Sequence, residues 1–366
     1  MTVELSSILI FAAYLKSEMN RRKFVVVFML VATILLSSFS FYAYQMIFSP
    51  NFLVEGEKKT LIINKEETFK SLQNKLYDEH YLNDLVSFSF LAKIMGYDKA
   101  IKPGKYALKP NMSNVEVIRL LRAGVQTPVR VTFNNIRLKE DLAPRLTANL
   151  LMDEKEFNHA LDMFVKEHKE FTHENIIAMF IPNTYEVYYN ISGEDFMNRM
   201  YSEFKKFWND ERLAKAKEIN LKPLEVVTMA SIVNAESVKK DEAKRIAGLY
   251  MNRLNGRIPL QADPTLVFAA KDFTLKRVLN VHKEIDSPYN TYKNLGLPPG
   301  PINMPPIYAI DAVLDFERHK FIYMCAKEDF SGYHNFADNI RDHINNANKY
   351  QRQLTIEQQK ARLNQN

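Results

Sequence analysis

The chain has a single cysteine, Cys325, so it can form neither an intrachain disulfide nor a cysteine-based metal centre. Glycine is scarce at ten residues in 366, and no phosphate-cradling glycine loop can be found. No Gly-x-Ser-x-Gly elbow is present, which argues against a Ser-His-Asp hydrolase of that type. No lysine is paired with a partner for a pyridine nitrogen, so a pyridoxal phosphate enzyme is also disfavoured, and no cofactor is expected. The net charge of +6 is small for this length and owes half its size to Arg21, Arg22 and Lys23, so no nucleic-acid surface is expected. What remains is an ordinary globular composition, 46% apolar and 25% charged, in a chain long enough for about two domains.

One apolar run sets the topology. From Phe24 to Phe48 the sequence FVVVFMLVATILLSSFSFYAYQMIF carries no charge over 25 residues. A bilayer core needs about 20 apolar helical residues. A cleaved signal peptide would be shorter and would offer a small-residue cleavage site. Arg21, Arg22 and Lys23 precede the run, and Ser49 to Glu55 follow it without positive charge. The positive-inside rule then places residues 1–23 in the cytoplasm, 24–48 in the membrane and the rest outside. MNRRKF from Met19 reads as a normal start for such an anchor, so translation is expected to begin there and not at Met1.

Residues 55–125 read as a small α+β module. Thr60 to Asn64 has strand character, Glu66 to Tyr77 spaces Phe69, Leu72 and Leu76 as a helix does, and a further helical stretch follows. After the turn at Pro103-Gly104, Lys105 to Leu108 forms a second strand. Ser113 to Glu116 is a capping box that opens a helix stopping at Gly124. By pattern this module resembles the LysM-like domain found beside the membrane in certain wall enzymes; a generic spacer domain would look the same. Residues 126–350 form a larger α+β domain, with a strand at Val129 to Phe133 and helices at Lys139 to Leu151, Glu154 to Glu167 and Asp195 to Asn209. The Gln- and Asn-rich stretch 351–366 is a polar tail, either a helix end or disordered.

The chemistry concentrates between Pro182 and His334. Pro223 suits the first turn of a helix whose segment LEVVTMASIVNAES is apolar almost to its end. Glu236 follows Ile232 and Val233 by one turn, so its carboxyl lies beside an apolar face that raises its pKa, as a general acid near neutral pH requires. Lys239 and Lys240 stand at i+3 and i+4, and an ordinary surface ion pair explains the same spacing. The helix from Glu242 to Leu254 packs through Ile246, Leu249, Tyr250 and Leu254, with Arg253 as a potential ligand donor. Asp263 before Pro264 reads as a turn former. The Pro/Gly-dense stretch from Ser287 to Pro301 reads as a rigid loop suited to a sugar groove, and His334-Asn335-Phe336 follows a Ser-Gly turn.

The ordered set IPNTY, ASIVNAES, NRL, LQADPT, SPYNTY, GLPPGPI and HNF closely resembles the endolytic murein transglycosylases, the YceG-like family, over Val129 to Tyr350. The resemblance implies a lytic cut between N-acetylmuramic acid and N-acetylglucosamine, with the catalytic glutamate at Glu236 and no water, metal or cofactor consumed. It also implies peptidoglycan as substrate, the cytoplasmic membrane as anchor site and peptidoglycan synthases as associates. Gln261, Tyr289, Asn290 and His334 become candidates for sugar contact, and Asp263 for orienting its loop. Asn183 and Asn234 depart from the family's usual carboxylates, which puts a second acid at those positions in doubt. The competing reading is an inert wall-binding scaffold of the synthesis machinery.

Overall fold

The computed structural model describes residues 21–132, 136–236, 238–275 and 277–363. The stretch ahead of Met19 lies outside them. The chain divides into two compact units, Met1–Thr127 and Pro128–Asn366. Both mix helices with two-stranded antiparallel sheets.

The first unit opens with α1 (Arg21–Phe48), which is long and apolar enough to cross a membrane and buries none of its residues. Its few hydroxyls bond back to the helix, Thr33 to the Met29 carbonyl at 2.8 Å and Ser37 to that of Thr33 at 2.7 Å. β1 (Lys59–Ile63) leads to α2 (Phe69–Asp78) and α3 (Leu85–Ile94), and β2 (Gly104–Leu108) to α4 (Asn114–Ala123). β1 and β2 pair from Lys59↔Leu108 to Ile63↔Gly104, so Leu61, Ile63, Tyr106 and Leu108 alternate inward onto Leu72, Leu76, Phe88 and Ile118. Gly124, at φ 75°, supplies the left-handed residue that ends α4.

In the second unit β3 (Val129–Thr132) pairs with β4 (Thr184–Val187) across α5 (Leu142–Thr147) and α6 (Glu154–Glu167). Then follow α7 (Gly193–Phe207), α8 (Asp210–Glu218), α9 (Pro223–Glu236), α10 (Ala243–Asn255), α11 (Asp263–Ala270) and α12 (Ile307–Leu314). The β5 (Tyr323–Ala326) and β6 (His334–Ala337) hairpin precedes α13 (Ile340–Leu363). Because α9 is apolar on every side, it is buried from Val226 to Val233 and packs against α10 and α12 at the centre of the core. The helix expected over Lys139 to Leu151 is instead a 3₁₀ turn, Lys139–Asp141, followed by the short α5. The expected turn at Asp263 is the start of α11, where Pro264 sits in the first turn and needs no amide partner. The polar tail continues α13 as helix to Leu363.

Candidate active site

Glu236 is the last residue of α9, delivered by the buried body of that helix to the rim of the core. Protein encloses its carboxyl group, while one edge of the residue opens onto a groove. Two cavities meet there, and both are lined by Glu236 and Asp263. The larger, about 1060 Å³, has Arg137, Asn234, Phe268, Phe273 and Asn303 on its walls. The smaller, about 500 Å³, has Tyr250, Gln261, Tyr292, Tyr323 and His334. Glu236 and Asp263 therefore stand on the wall that the two cavities share.

Burial pushes the Glu236 pKa up to about 7; a hydrogen bond from the Tyr250 hydroxyl at 3.0 Å opposes this, and the nearby Asp263 charge adds to it. Desolvation is the larger effect, so the group is poised to give and recover a proton near neutral pH. Tyr250 is itself buried, which raises its own pKa well above the usual phenol range. The Tyr292 hydroxyl donates to Asp263 at 2.5 Å and ties the Ser287–Tyr292 loop to the start of α11. Tyr292 is raised too, by burial first and then by Asp263. The surface-pair reading of Glu236 needs Lys239 and Lys240 on the same helix, and both lie outside α9, Lys239 with an extended backbone. Lys240 begins a 3₁₀ turn with its ammonium 5.2 Å from the centre of the Tyr308 ring.

The structure brings Glu236, Gln261, Asp263 and His334 together on the smaller cavity. Gln261 adopts φ 53°, a left-handed conformation uncommon for a non-glycine residue. Its amide donates to the Thr291 carbonyl at 3.0 Å and its side-chain oxygen accepts from Arg253 at 2.5 Å, which hold it there. His334 is fixed to Glu242, through its backbone amide at 3.0 Å and through Nδ1 at 2.7 Å.

Three other candidates are held by contacts of their own. Asn290 is fully buried: its Nδ2 donates to the Lys283 and Ile285 carbonyls at 2.9 and 2.8 Å, and its Oδ1 accepts from the Tyr292 amide at 3.0 Å. Tyr289 packs its ring against Phe268 with centroids 4.6 Å apart and, like Asn290, is absent from the described lining of both cavities. Arg253 is 6% exposed and donates to the Pro259 and Ile322 carbonyls at 2.9 and 2.7 Å, and it also lines the smaller cavity. Of the two departures, Asn183 accepts from the Thr184 amide at 2.8 Å, while Asn234 accepts from the Tyr308 hydroxyl at 3.0 Å on the wall of the larger cavity.

Sequence reasoning placed Tyr250 on a packing face and gave Tyr292 no role. The usable signal was chemical: a tyrosine on an otherwise apolar buried face needs a partner for its hydroxyl.

The YceG-like family model matches residues 61–349. An endolytic murein transglycosylase of Streptococcus pneumoniae serotype 2 (strain D39 / NCTC 7466) is 25% identical over 360 residues, covering 89% of this chain. The chain spans 65% of the length of that relative. An endolytic murein transglycosylase of Bacillus subtilis (strain 168) is 40% identical over 128 residues, 34% of each chain. The crystal structure of a yceG-like protein from Listeria monocytogenes aligns with a TM-score of 0.50 and 23% identity, over 79% of this chain and 98% of that one, a likeness of fold. A family match over most of the chain, taking in every segment that lines the two cavities, shows that this chain belongs to the YceG-like family.

Proposed function

We propose that the chain is an endolytic peptidoglycan lytic transglycosylase, with Glu236 as its acid and base. The observation that carries this reading is a carboxyl whose pKa burial raises to about 7, placed on the wall shared by two cavities. Relatives named as endolytic murein transglycosylases support the substrate class.

The reaction needs one carboxyl used twice. Protonated Glu236 donates to the glycosidic oxygen between N-acetylmuramic acid and N-acetylglucosamine, and positive charge develops at the muramic acid C1. The resulting carboxylate then removes the proton from the C6 hydroxyl of that sugar. The C6 oxygen closes onto C1 as a 1,6-anhydro ring, Glu236 returns to its protonated form and no water is consumed. A two-carboxylate glycosidase would instead deliver water or form a covalent intermediate. Asp263, held by Tyr292, keeps the loop in place and its charge helps to hold the Glu236 proton.

The reading extends to the rest of the chain. α1 anchors it as a single span of the cytoplasmic membrane, with Arg21 to Lys23 inside and the second unit outside, where nascent glycan strands and their synthases are found. The first unit acts as a LysM-like module. Digestion of purified sacculi by the protein, followed by mass spectrometry, tests the activity: the products should carry anhydro ends, lighter by one water than hydrolytic ends. Reducing ends would mean a hydrolase. Binding with no cleavage under any condition would support the scaffold. An active C-terminal alkaline phosphatase fusion is the expected result for topology, and an inactive one overturns the orientation.

A further inference from the structure

Helix α3 is apolar on two opposite sides. Phe88, Leu91 and Ala92 point into the core of the first unit. Val86, Phe90 and Ile94, spaced four apart on one stripe, are 78%, 55% and 66% exposed. An exposed stripe of large apolar side chains marks a contact surface. Lys93 stands exposed in the last turn beside it.

The start of α3 is fixed to the end of α1. The buried Asn114 side chain donates to the Met46 carbonyl in the last turns of α1 at 2.9 Å and to the Ser87 hydroxyl at 3.0 Å. Asn51 donates to Asn114 Oδ1 at 2.7 Å and to the Asp84 carbonyl at 2.9 Å, and accepts from the Asp84 amide at 2.7 Å. α1 packs against both α3 and α4, and Ile47 packs against the core of this unit.

The length of α1 sets the depth of that junction. Its 28 residues span about 42 Å at roughly 1.5 Å each, against a hydrocarbon core of about 30 Å and a whole bilayer of about 40–45 Å. Counting about 20 residues from Phe24, the first uncharged position, brings the hydrocarbon boundary to Ala43. Tyr42 and Tyr44, both exposed, flank it as interfacial aromatics do. Met46 and Ile47 therefore lie among the outer head groups, and α3 begins at that level.

We infer that Val86, Phe90 and Ile94 form a second membrane contact, lying in the interface of the bilayer that α1 crosses, with Lys93 at the head groups. The inference rests on the reading of α1 as a membrane span. Lipid is the occupant that fits: three side chains fall short of the roughly 800 Å² per partner of a stable protein interface. Lipid contact needs no shape complementarity, and α1 already holds the surface beside the stripe, so the contact forms within one tethered body. Its effect is to stop the first unit pivoting about the end of α1.

Single-cysteine forms of the full chain, made in a Cys325→Ser background, test this. Phe90→Cys, Ile94→Cys, Leu36→Cys and Glu79→Cys each carry an environment-sensitive dye, in vesicles of phosphatidylcholine and phosphatidylglycerol containing shallowly or deeply brominated lipid. The expected result is a blue shift and shallow-lipid quenching at Phe90 and Ile94, deep quenching at Leu36 and neither effect at Glu79. Quenching at Leu36 with none at Phe90 or Ile94 overturns the inference while the span stands. Absence of quenching at Leu36 overturns the span and the inference with it. A blue shift at Phe90 without lipid quenching means that protein covers the stripe, which overturns lipid as the occupant.

Discussion

The Tyr250 hydroxyl on α10 donates a 3.0 Å hydrogen bond to Glu236 Oε1 at the end of α9. This bond favours the charged carboxylate, whereas burial, the larger effect, favours the neutral acid. Tyr250→Phe keeps the ring and removes the bond, so the Glu236 pKa should rise above about 7. On the proposed mechanism the basic limb of kcat/KM, which reports loss of the acid's proton, should move to higher pH. A limb that stays in place or moves down would show that Tyr250 does not tune the acid.

The same carboxyl makes stability depend on pH. Its folded pKa of about 7 lies above the ordinary 4.5, so between those values the folded state holds more proton than the unfolded one. Stability should therefore fall as pH rises through that window. Glu236→Gln has no such proton to lose. Denaturant midpoints of the variant and the parent should differ more, in the variant's favour, at pH 8 than at pH 5; an unchanged difference would place Glu236 in water.

Local periodicity made much of the fold legible. The spacing expected a helix over Glu154 to Glu167, and α6 has those bounds. The uncharged run from Phe24 became α1, and the capping box appears as Glu116 accepting from the Ser113 amide at 2.8 Å. The site was legible only in part, because its geometry depends on contacts distant in sequence. Glu236 could be named from its helix, but Tyr250 is 14 positions away and acts through a side-chain bond that no spacing rule encodes. Asn290 is the opposite case: a polar residue in a Pro/Gly loop looks available, yet here its amide caps the Lys283 and Ile285 carbonyls just ahead of the loop. α11 was missed because Asp-Pro signals a turn and a helix start equally well.

Asn290→Ala should accordingly act on the fold. It leaves the Lys283 and Ile285 carbonyls without their shared donor in a buried site, at a cost of about 1–3 kcal/mol. Thermal unfolding should shift down by roughly 2–4 °C per kcal/mol for a unit of this size. A variant with unchanged melting and a raised KM would return Asn290 to the groove as a ligand.

Gly300 tests the rigidity of the loop that follows. A Cβ at this position would sit 2.0 Å from the Glu174 carbonyl oxygen and 2.6 Å from its carbon, both backbone atoms. Neither can move without shifting the segment that leads into the 3₁₀ turn at Ile176–Met179. Gly300→Ala should cost at least about 1–3 kcal/mol, the usual range for overpacking. Melting at the parent's temperature would show that the loop yields freely.

Glu236→Gln bears most directly on the chemistry. The amide keeps the size of the side chain and can still accept from Tyr250, but it can neither deliver nor recover a proton. General acid–base groups contribute about 10²–10⁴-fold in rate, and one residue is proposed here for both transfers. Release of anhydro ends should therefore fall by the upper end of that range or more. Binding to sacculi should persist, since the groove walls are unchanged, and a pull-down with intact sacculi measures it alongside the rate. Release at close to the parent's rate would mean that another group moves the proton, and the assignment of Glu236 would fail.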